Sequence, residues 1–314
     1  MILFLMLLTL SLLFIGVINK LKYRFLGKRG PSIYQAYYDV IKLAKKGEVL
    51  SDVSSLIFRF APSINLACVI IAALLLTVCH FNGDFILFSY ILALGKFVSV
   101  VAAMDTGSSF EGMGASREVS FTSFVEPALF IVISSTAALN GIFSFESLFG
   151  LMQTNQELVL LIGMLIIFDL FLIILIEGSR IPIDDPKTHL ELTMIHEVMV
   201  LDNSGIDLAF IHYASALKML LFSTLIALII SPQLWVFFIV LFLIAFLIAL
   251  IDNLIYNSVC VNIVGSCFKQ RIYYAILRCT VRFLARVRQS TLPSKMLVRI
   301  SCNGTKNANR LIHI

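Results

Sequence analysis

Charged side chains are scarce in this sequence. Asp, Glu, Lys and Arg make up 14% of its 314 residues, whereas hydrophobic residues make up 59%. Soluble globular domains carry about 25% charged residues, so this composition excludes an ordinary soluble domain. Apolar runs near 20 residues recur along the chain instead, which is the length needed to cross the hydrocarbon core of a bilayer.

These apolar runs predict an all-α integral membrane protein with seven transmembrane helices. The predicted spans are 1–18, 62–80, 85–104, 122–140, 158–177, 208–230 and 234–255. No basic residue precedes the first run and no small-residue cleavage site follows it, which favours a retained helix over a signal peptide. With few Pro or Gly residues and no internal repeat, residues 1–255 are expected to form one transmembrane domain.

Lys and Arg are missing from three of the predicted turns, at 81–84, 141–157 and 231–233. Loop 19–61 holds nine of them and the tail after Asp252 holds ten. Because basic loops stay on the cytoplasmic side, the N-terminus is expected outside and the long loops and tail inside. The net charge of +5 then reflects topology and contact with anionic lipid rather than nucleic-acid binding.

Motifs for metal or covalent chemistry are also missing. The six cysteines form no CxxC pair, so neither an iron–sulfur site nor a disulfide framework is indicated. HEVMV at 196–200 lacks the second histidine of HExxH, and GMGAS at 112–116 lacks the context of a phosphate-binding loop. No motif places a Ser/His/Asp arrangement. The chain itself is therefore expected to hold no metal, cofactor or catalytic residue.

The first inner loop predicts an amphipathic helix between Ser32 and Gly47. Ser32 and Gln35 have capping-box spacing, and Gly47 suits a helix end. The predicted apolar face consists of Ile33, Tyr37, Val40, Ile41 and Ala44. Such a helix is typical of an interfacial anchor, and the alternative is a wall of a lateral entrance for a lipid-soluble ligand or a docking protein.

Ionisable residues inside the apolar spans carry the most information. A central Asp or Lys costs about 2.5–3.5 kcal/mol in insertion experiments, so such residues usually pair or line an ion path. A Glu–Lys pair that only locks two helices is the alternative for any one of them. The set comprises Lys96, Glu126, Asp169 and Lys218 within spans and Asp105, Glu177 and Asp252 at helix ends.

The stretch EGSRIPIDDPKTHLELTMIHE, 177–197, concentrates five of the nineteen carboxylates and two of the five histidines. Asp185 followed by Pro186 suits the start of a short helix over about 186–201. His189 and His196 would share a face of that helix, while Glu191 would point elsewhere. The stretch can be a solvated loop, a metal site or part of a charge-handling device, and the spacing argues against the metal site.

An ordered set of motifs resembles one family. The motifs are KRGP at 28–31, DTGSSFEGMGASRE at 105–118, VEP at 125–127 and EGSRIPIDD at 177–185. The chain resembles complex I subunit 1, a membrane subunit of NADH-quinone oxidoreductase, and the corresponding membrane subunit of group 4 membrane-bound NiFe hydrogenases. The motifs are most similar to those of the formate hydrogenlyase and hydrogenase-4 branch, and the resemblance covers residues 1–255.

This resemblance implies a multi-pass subunit of a prokaryotic cytoplasmic (inner) membrane that anchors a soluble redox arm. Partners would be an iron–sulfur small subunit, a homologue of the large subunit with or without nickel and iron, and antiporter-like membrane subunits. Matched by motif, Glu126, Glu177 and Lys218 belong to a proton-path or coupling set, and the buried charges Asp105 and Asp169 are expected to join it. Matched in the same way, Arg180, Asp184 and Glu191 lie beneath the arm, and the expected interface with the arm also includes Lys28, Arg29, Arg117, Asp185, His189 and Glu197.

The sequence departs from the family in two places. Lys187 and His189 stand where relatives carry acids, and Asp202-Asn203-Ser204 replaces a Glu-Tyr-Ser pattern, which weakens the case for quinone reduction and leaves charge coupling as the expectation. Residues 256–314 contain no Asp or Glu but ten Lys/Arg and four cysteines. They are expected to be a divergent or frame-altered tail with a basic interfacial helix rather than an eighth span.

Three functions follow as hypotheses. The first is a non-catalytic subunit that couples electron transfer in a soluble arm to movement of protons or sodium ions. The second is a stand-alone ion transporter, against which stands the lack of an inverted repeat and of paired broken helices. The third is a purely structural membrane scaffold.

Overall fold

The computed structural model describes residues 2–47, 55–78, 84–140, 145, 149, 157–178 and 195–258. The chain divides into two units, Met1–Gln270 and Arg271–Ile314, and every described residue belongs to the first. Within these ranges the regular structure is helical. The helices are α1 (Ile2–Phe25), α2 (Gln35–Ala44), α3 (Leu56–Thr77), α4 (Asp84–Asp105), α5 (Ser109–Asn140), α6 (Glu157–Glu177), α7 (His196–Met199), α8 (Gly205–Ile230) and α9 (Leu234–Ser258).

Six of the helices in the described ranges are long and apolar enough to cross a bilayer, one fewer than the seven predicted. They are α1, α3, α4, α6, α8 and α9. The remaining predicted span, 122–140, coincides with the second half of α5, which is helical but is not among the six. The first half of α5 carries the charged motif residues, so this helix runs from a polar segment into an apolar one. The chain is a multi-pass membrane protein.

Helix α8 forms the centre of the bundle. In its most apolar window 83% of the residues are buried, whereas the corresponding share in the other five helices is 33–44%. It packs against α1, α2, α3, α6 and α9, and α3 packs mainly against α4. A charged residue on α8 is therefore buried among protein rather than exposed to lipid. Lys218 lies on this helix.

The segment that joins α1 to α2, and the start of α2 itself, differ from the predicted capping box. Gly27 has a φ of 67°, and the Gly27 and Lys28 N–H groups donate to the Arg24 and Tyr23 carbonyls, which terminates α1. Helix α2 begins at Gln35 with Tyr34 at its N-cap, and no side chain caps it, so the predicted capping box is wrong. The Gln35 side-chain amide donates to Asp39 Oδ1 at 2.9 Å instead.

The predicted amphipathic helix is confirmed, but its buried face is narrower than expected. Ile33, Tyr37 and Val40 are half-buried, while Ile41 is 50% exposed. The Tyr37 hydroxyl donates to the Thr9 carbonyl and holds α2 against α1. The helix ends at Ala44 rather than at Gly47. The Lys45 N–H still donates to the Ile41 carbonyl, but the Lys46 N–H donates to the Leu43 carbonyl, only three residues earlier.

Candidate functional site

A cluster of four ionised side chains lies where α4, α5, α6 and α8 meet. Lys96 on α4 pairs with Glu118 on α5, and its Nζ also lies 3.3 Å from Glu177 Oε2 at the end of α6. Lys218 Nζ on α8 lies 3.2 Å from the same Glu177 oxygen. The four side chains are between 7% and 15% exposed. We call these residues the ion cluster.

The ion cluster is balanced in charge. Two ammonium groups face two carboxylates, so the group as a whole adds no net charge to the membrane interior. Removing one member of a buried pair leaves an uncompensated charge, which costs about 3–5 kcal/mol. Because Glu177 is shared by two lysines, a proton gained or lost at one member changes the attraction felt by the others. The four charges are therefore electrostatically linked to one another.

A cavity of about 60 Å³ opens from one side of the ion cluster. His196, Val200 and Asn203, which lie just before α8, line its far side. The buried side-chain oxygens of Asn65 and Asn203 face no hydrogen-bond partner in the part of the chain that the structure describes. A polar cavity needs about 10–15 Å³ to hold a water, so this one has room and acceptors for several.

A second, smaller cavity of about 30 Å³ lies on another side of the ion cluster. Lys96 and Glu177 line it, together with Ser89, Thr122 and Glu126. Glu126 is half-buried and faces the ion cluster across this space. Together, the two cavities and the ion cluster connect polar groups from His196 and Asn203 on one side to Glu126 on the other.

The motif DTGSSFEGMGASRE, 105–118, runs from the end of α4 into the first turns of α5. Asp105 accepts the Ser55 N–H at 2.8 Å beside the start of α3. Glu111 is fully buried and accepts the Asp202 N–H at 3.1 Å. Glu118, two turns further along the same face of α5, reaches Lys96. Residues 106–108 form a turn between the two helices, and the rest of the motif is helical.

Burial sets the electrostatics of Glu111. It raises the pKa of this carboxyl above its ordinary value, and the nearby Asp202 charge acts in the same direction. Hydrogen bonds with Thr106 and with the Asp202 N–H act in the opposite direction without cancelling the effect. Glu111 thus connects α5 to the backbone just before α8. Burying this side chain costs less free energy when the carboxyl is protonated.

The sequence-based coupling set is only partly brought together. Glu177 and Lys218 belong to the ion cluster, and Glu126 borders it. Asp169 lies half-buried in the middle of α6, with no ion pair in the described ranges. Asp105 lies at the end of α4 against Ser55. A role in coupling stays a prediction for all five residues.

The predicted interface with a redox arm is described only in part. Lys28 and Arg29 are exposed in the turn after α1, Arg117 is half-buried on α5, and Glu197 is exposed on α7. The predicted helix over 186–201 is confirmed at its end, His196–Met199. The residues outside the described ranges are Arg180, Asp184, Asp185, His189 and Glu191.

Two cluster members were not in the sequence-based set. Lys96 was noted as a charge within a span, whereas Glu118 was placed in a loop. Glu118 precedes the predicted span 122–140 by four residues, one helical turn, so extending that helix backwards would have placed it near the membrane interior. Nothing in the sequence marks Asn65 as part of the site. Its side chain approaches α4 closely, because a Cβ added at Gly95 would lie 3.0 Å from Asn65 Oδ1.

A larger cavity of about 390 Å³ is lined by residues of α1, α2 and α8 and of the segment before α2. Gly16 and Asn19 of α1, Gln35 and Asp39 of α2, and His212 of α8 contribute to its lining. This is the position at which Sequence analysis considered a lateral entrance for a lipid-soluble ligand as the alternative role of α2.

Metal binding is not indicated by the described residues, in which no group of three or more His, Cys, Asp or Glu side chains is arranged to hold an ion.

Comparison with known proteins gives matches over most of the chain. Residues 1–282 match the family model described as NADH dehydrogenase. Hydrogenase-4 component C of Escherichia coli K12 is 33% identical over 235 residues, which cover 72% of each chain. Formate hydrogenlyase subunit 4 of the same strain is 32% identical over 132 residues, 40% of this chain and 43% of that one.

A solved structure has the same fold. It is that of the membrane-bound sulfane sulfur reductase, an archaeal respiratory membrane complex. The match has a TM-score of 0.64 and 19% sequence identity, and it covers 81% of this chain and 87% of that one.

Proposed function

Since the chain belongs to the NADH dehydrogenase family of complex I subunit 1 proteins, we propose that it is the membrane-anchor and coupling subunit of a hydrogenase-like respiratory oxidoreductase. It links electron transfer in a soluble iron–sulfur arm to translocation of protons or sodium ions. The chain itself carries no redox centre in this proposal. Its similarity to a component of hydrogenase-4 and to a subunit of formate hydrogenlyase supports membership in a multi-subunit complex.

The observation that carries this proposal is the ion cluster. Four charged side chains from four different helices are expensive to bury, and ionisable residues in membrane interiors usually mark ion or proton routes. A scaffold would be equally well served by apolar packing, since replacing a buried ion network with apolar residues is often neutral or stabilising. Coupling needs ionisable groups in the membrane interior, and Lys96, Glu118, Glu177 and Lys218 are such groups.

The two small cavities support a route through the ion cluster. The cavity toward His196 and Asn203 begins at the end of the charged stretch 177–197 and continues along the residues that follow it. The second cavity continues to Glu126. A proton accepted beneath the soluble arm would reach the ion cluster through water and amide oxygens and would leave toward Glu126. The lysines, each with three rotatable donors, serve as the moving parts.

The partners in this proposal are the iron–sulfur small subunit of the arm, the homologue of the large subunit, and antiporter-like subunits in the membrane. The charged stretch 177–197 and the basic turn at Lys28 and Arg29 form the surface beneath the arm. The orientation follows the basic loops, with the N-terminus outside a prokaryotic inner membrane. The arm then docks on the cytoplasmic side.

The larger cavity next to α2 favours a second role beside coupling, the admission of an amphiphilic ligand. Its lining combines apolar side chains such as Leu12 and Ile15 with polar ones such as Asp39 and His212. A quinone fits that chemistry, whereas Asp202-Asn203-Ser204 departs from the family pattern near the redox arm. Coupling through the ion cluster requires no quinone.

The test is ion transport by the assembled complex in liposomes. Glu177→Gln, Lys218→Met and Glu126→Gln are compared with Lys20→Met, which removes an exposed lysine of α1. Coupling predicts that the three variants assemble and transfer electrons but translocate far fewer ions per electron, while Lys20→Met behaves like the wild type. A pH-sensitive dye and a sodium tracer identify the ion.

Two results would replace the proposal. Ion flux by the purified chain alone, without the arm, would support a stand-alone transporter. Normal translocation by all three neutralised variants in a fully assembled complex would leave the chain as a structural scaffold.

A further inference from the structure

Glu111 is a buried carboxylate that the proposed ion route does not use. It lies in the first turn of α5 and is 0% exposed. Its Oε1 accepts the Asp202 N–H at 3.1 Å, while its Oε2 has no hydrogen-bond partner in the described part of the chain. A fully buried carboxylate with one oxygen unpaired within the described residues is costly, so its presence needs a reason.

The hydrogen bond from Asp202 fixes the wall of a cavity. Asp202 belongs to residues 195–204, which we call the wall segment. Within it His196, Val200 and Asn203 line the cavity of about 60 Å³ beside the ion cluster. Holding the Asp202 backbone therefore holds the neighbouring Asn203 against that cavity.

A second contact from α5 seats the same segment. A Cβ added at Gly114 would lie 3.0 Å from Met199 Cγ and 3.1 Å from the Ile195 carbonyl oxygen, so the helix and the wall segment are in close contact. Met199 also packs into an apolar cluster with Ala115, and with Val100 and Ala103 of α4. The wall segment thus has one polar and one apolar attachment to α5.

The same face of α5 continues to the ion cluster. Glu111 and Glu118 are seven residues apart, two helical turns on one face. Glu118 pairs with Lys96. The position of the wall segment and the position of a cluster carboxylate are therefore set by one rigid helix.

We propose that Glu111 is a positioning residue for coupling, which ties the wall segment 195–204 to α5 and so keeps the cavity wall in register with the ion cluster. The inference rests on the proposed coupling function and adds to it the element that holds the entry of the route. A tether lost at Glu111 leaves every member of the ion cluster present but lets the wall segment move relative to it.

The experiment uses the assembled complex with Glu111→Met, which keeps the side-chain volume but removes the acceptor. Glu111→Gln keeps an acceptor oxygen for the Asp202 N–H, and Ser116→Ala removes an exposed hydroxyl of the same helix as the matched control. Hydrogen–deuterium exchange of the amides of 195–204 and ions translocated per electron are measured on the same preparations. If Glu111→Met does not assemble, Glu111→Ala serves in its place.

For Glu111→Met we expect roughly tenfold faster amide exchange in the wall segment. This is the increase that follows when local opening no longer has to break one hydrogen bond to a charged group. Ions per electron fall with it, and Glu111→Gln and Ser116→Ala stay near the wild type in both measurements. Unchanged exchange in Glu111→Met overturns the tether. Faster exchange with unchanged translocation overturns its role in coupling and leaves a structural bond.

A parallel measurement on Glu177→Gln separates this inference from the proposed function. If Glu177→Gln also translocates normally, the coupling route itself is wrong, and the positioning role falls with it whatever the exchange shows. If Glu177→Gln fails to translocate while Glu111→Met translocates normally, only the positioning role is wrong.

Discussion

Lys218 Nζ lies 3.2 Å from Glu177 Oε2, an ion pair that joins the central helix α8 to the end of α6. The same oxygen lies 3.3 Å from Lys96 Nζ. Glu177 is therefore the shared anion of two lysines from different helices. If Glu177 loses its charge, Lys218 loses its ion-pair partner, whereas Lys96 is still paired with Glu118. The energetics of the ion cluster can be tested through this asymmetry.

A double-mutant cycle on Glu177 and Lys218 is expected to be strongly non-additive. Glu177→Gln and Lys218→Met should each lower the free energy of unfolding by about 3–5 kcal/mol, because each leaves an uncompensated buried charge. The double variant should cost less than the sum, by about 0.5–3 kcal/mol, because it removes both partners. Unfolding in detergent measures the cycle, and additive costs would show that the pair is not energetically coupled.

The contact between α1 and α9 depends on Lys22 and Asp252, whose Nζ and Oδ2 atoms lie 3.4 Å apart. Asp252 is fully buried, so Lys22→Ala should lower the free energy of unfolding by about 1–3 kcal/mol. Lys20→Ala, two residues earlier and exposed, is the matched control and should change it little. Thermal melting in detergent compares them, and equal effects at the two positions would contradict the prediction.

The spans were predictable because the thickness of a bilayer sets their length. Lys96, Glu177 and Lys218 were conspicuous for the same reason, since each interrupts or ends an apolar run. Their pairing was not predictable, because which helices adjoin depends on contacts between residues far apart in the sequence. Lys96 and Glu177 are 81 positions apart, and the packing of both α4 and α6 against α5 brings their charged atoms to 3.3 Å.

The role of the first half of α5 was missed for a different reason. Gly112, Gly114 and the neighbouring Ser residues have low helix propensity and indicate a turn when only local sequence is considered. In the structure this segment is helical because Ala115 and Gly114 pack against the wall segment, and tertiary contact outweighs local preference. The capping box at Ser32 was wrong for the converse reason. Its spacing was right, but the N-cap of α2 is Tyr34, two residues later.

Gly114 and Gly112 form a matched pair for testing the close contact between α5 and the wall segment. A Cβ at Gly114 would lie 3.0–3.3 Å from atoms of Met199 and Ile195, whereas a Cβ at Gly112 would have nothing within 4 Å. Gly114→Ala should therefore cost about 1–3 kcal/mol through overpacking. Gly112→Ala should be neutral or stabilising by about 0.5–1 kcal/mol, since alanine favours helix. Melting in detergent decides, and equal melting temperatures would contradict the close packing.

The raised pKa of Glu111 predicts a specific dependence of stability on pH. A carboxyl whose pKa is higher in the folded state contributes stability that is fully present below its unfolded value of 4.5 and is lost as pH rises through the folded value. Glu111→Gln cannot ionise but keeps an acceptor for the Asp202 N–H. The variant should therefore gain stability relative to the wild type as pH rises, with the smallest difference below pH 4.5. Melting curves of both proteins from about pH 4 to 8 measure this difference, in which the titrations common to both cancel. A difference that is constant over the range would show that Glu111 titrates alike in the folded and unfolded chains, and one that grows toward low pH would mean that its pKa is lowered.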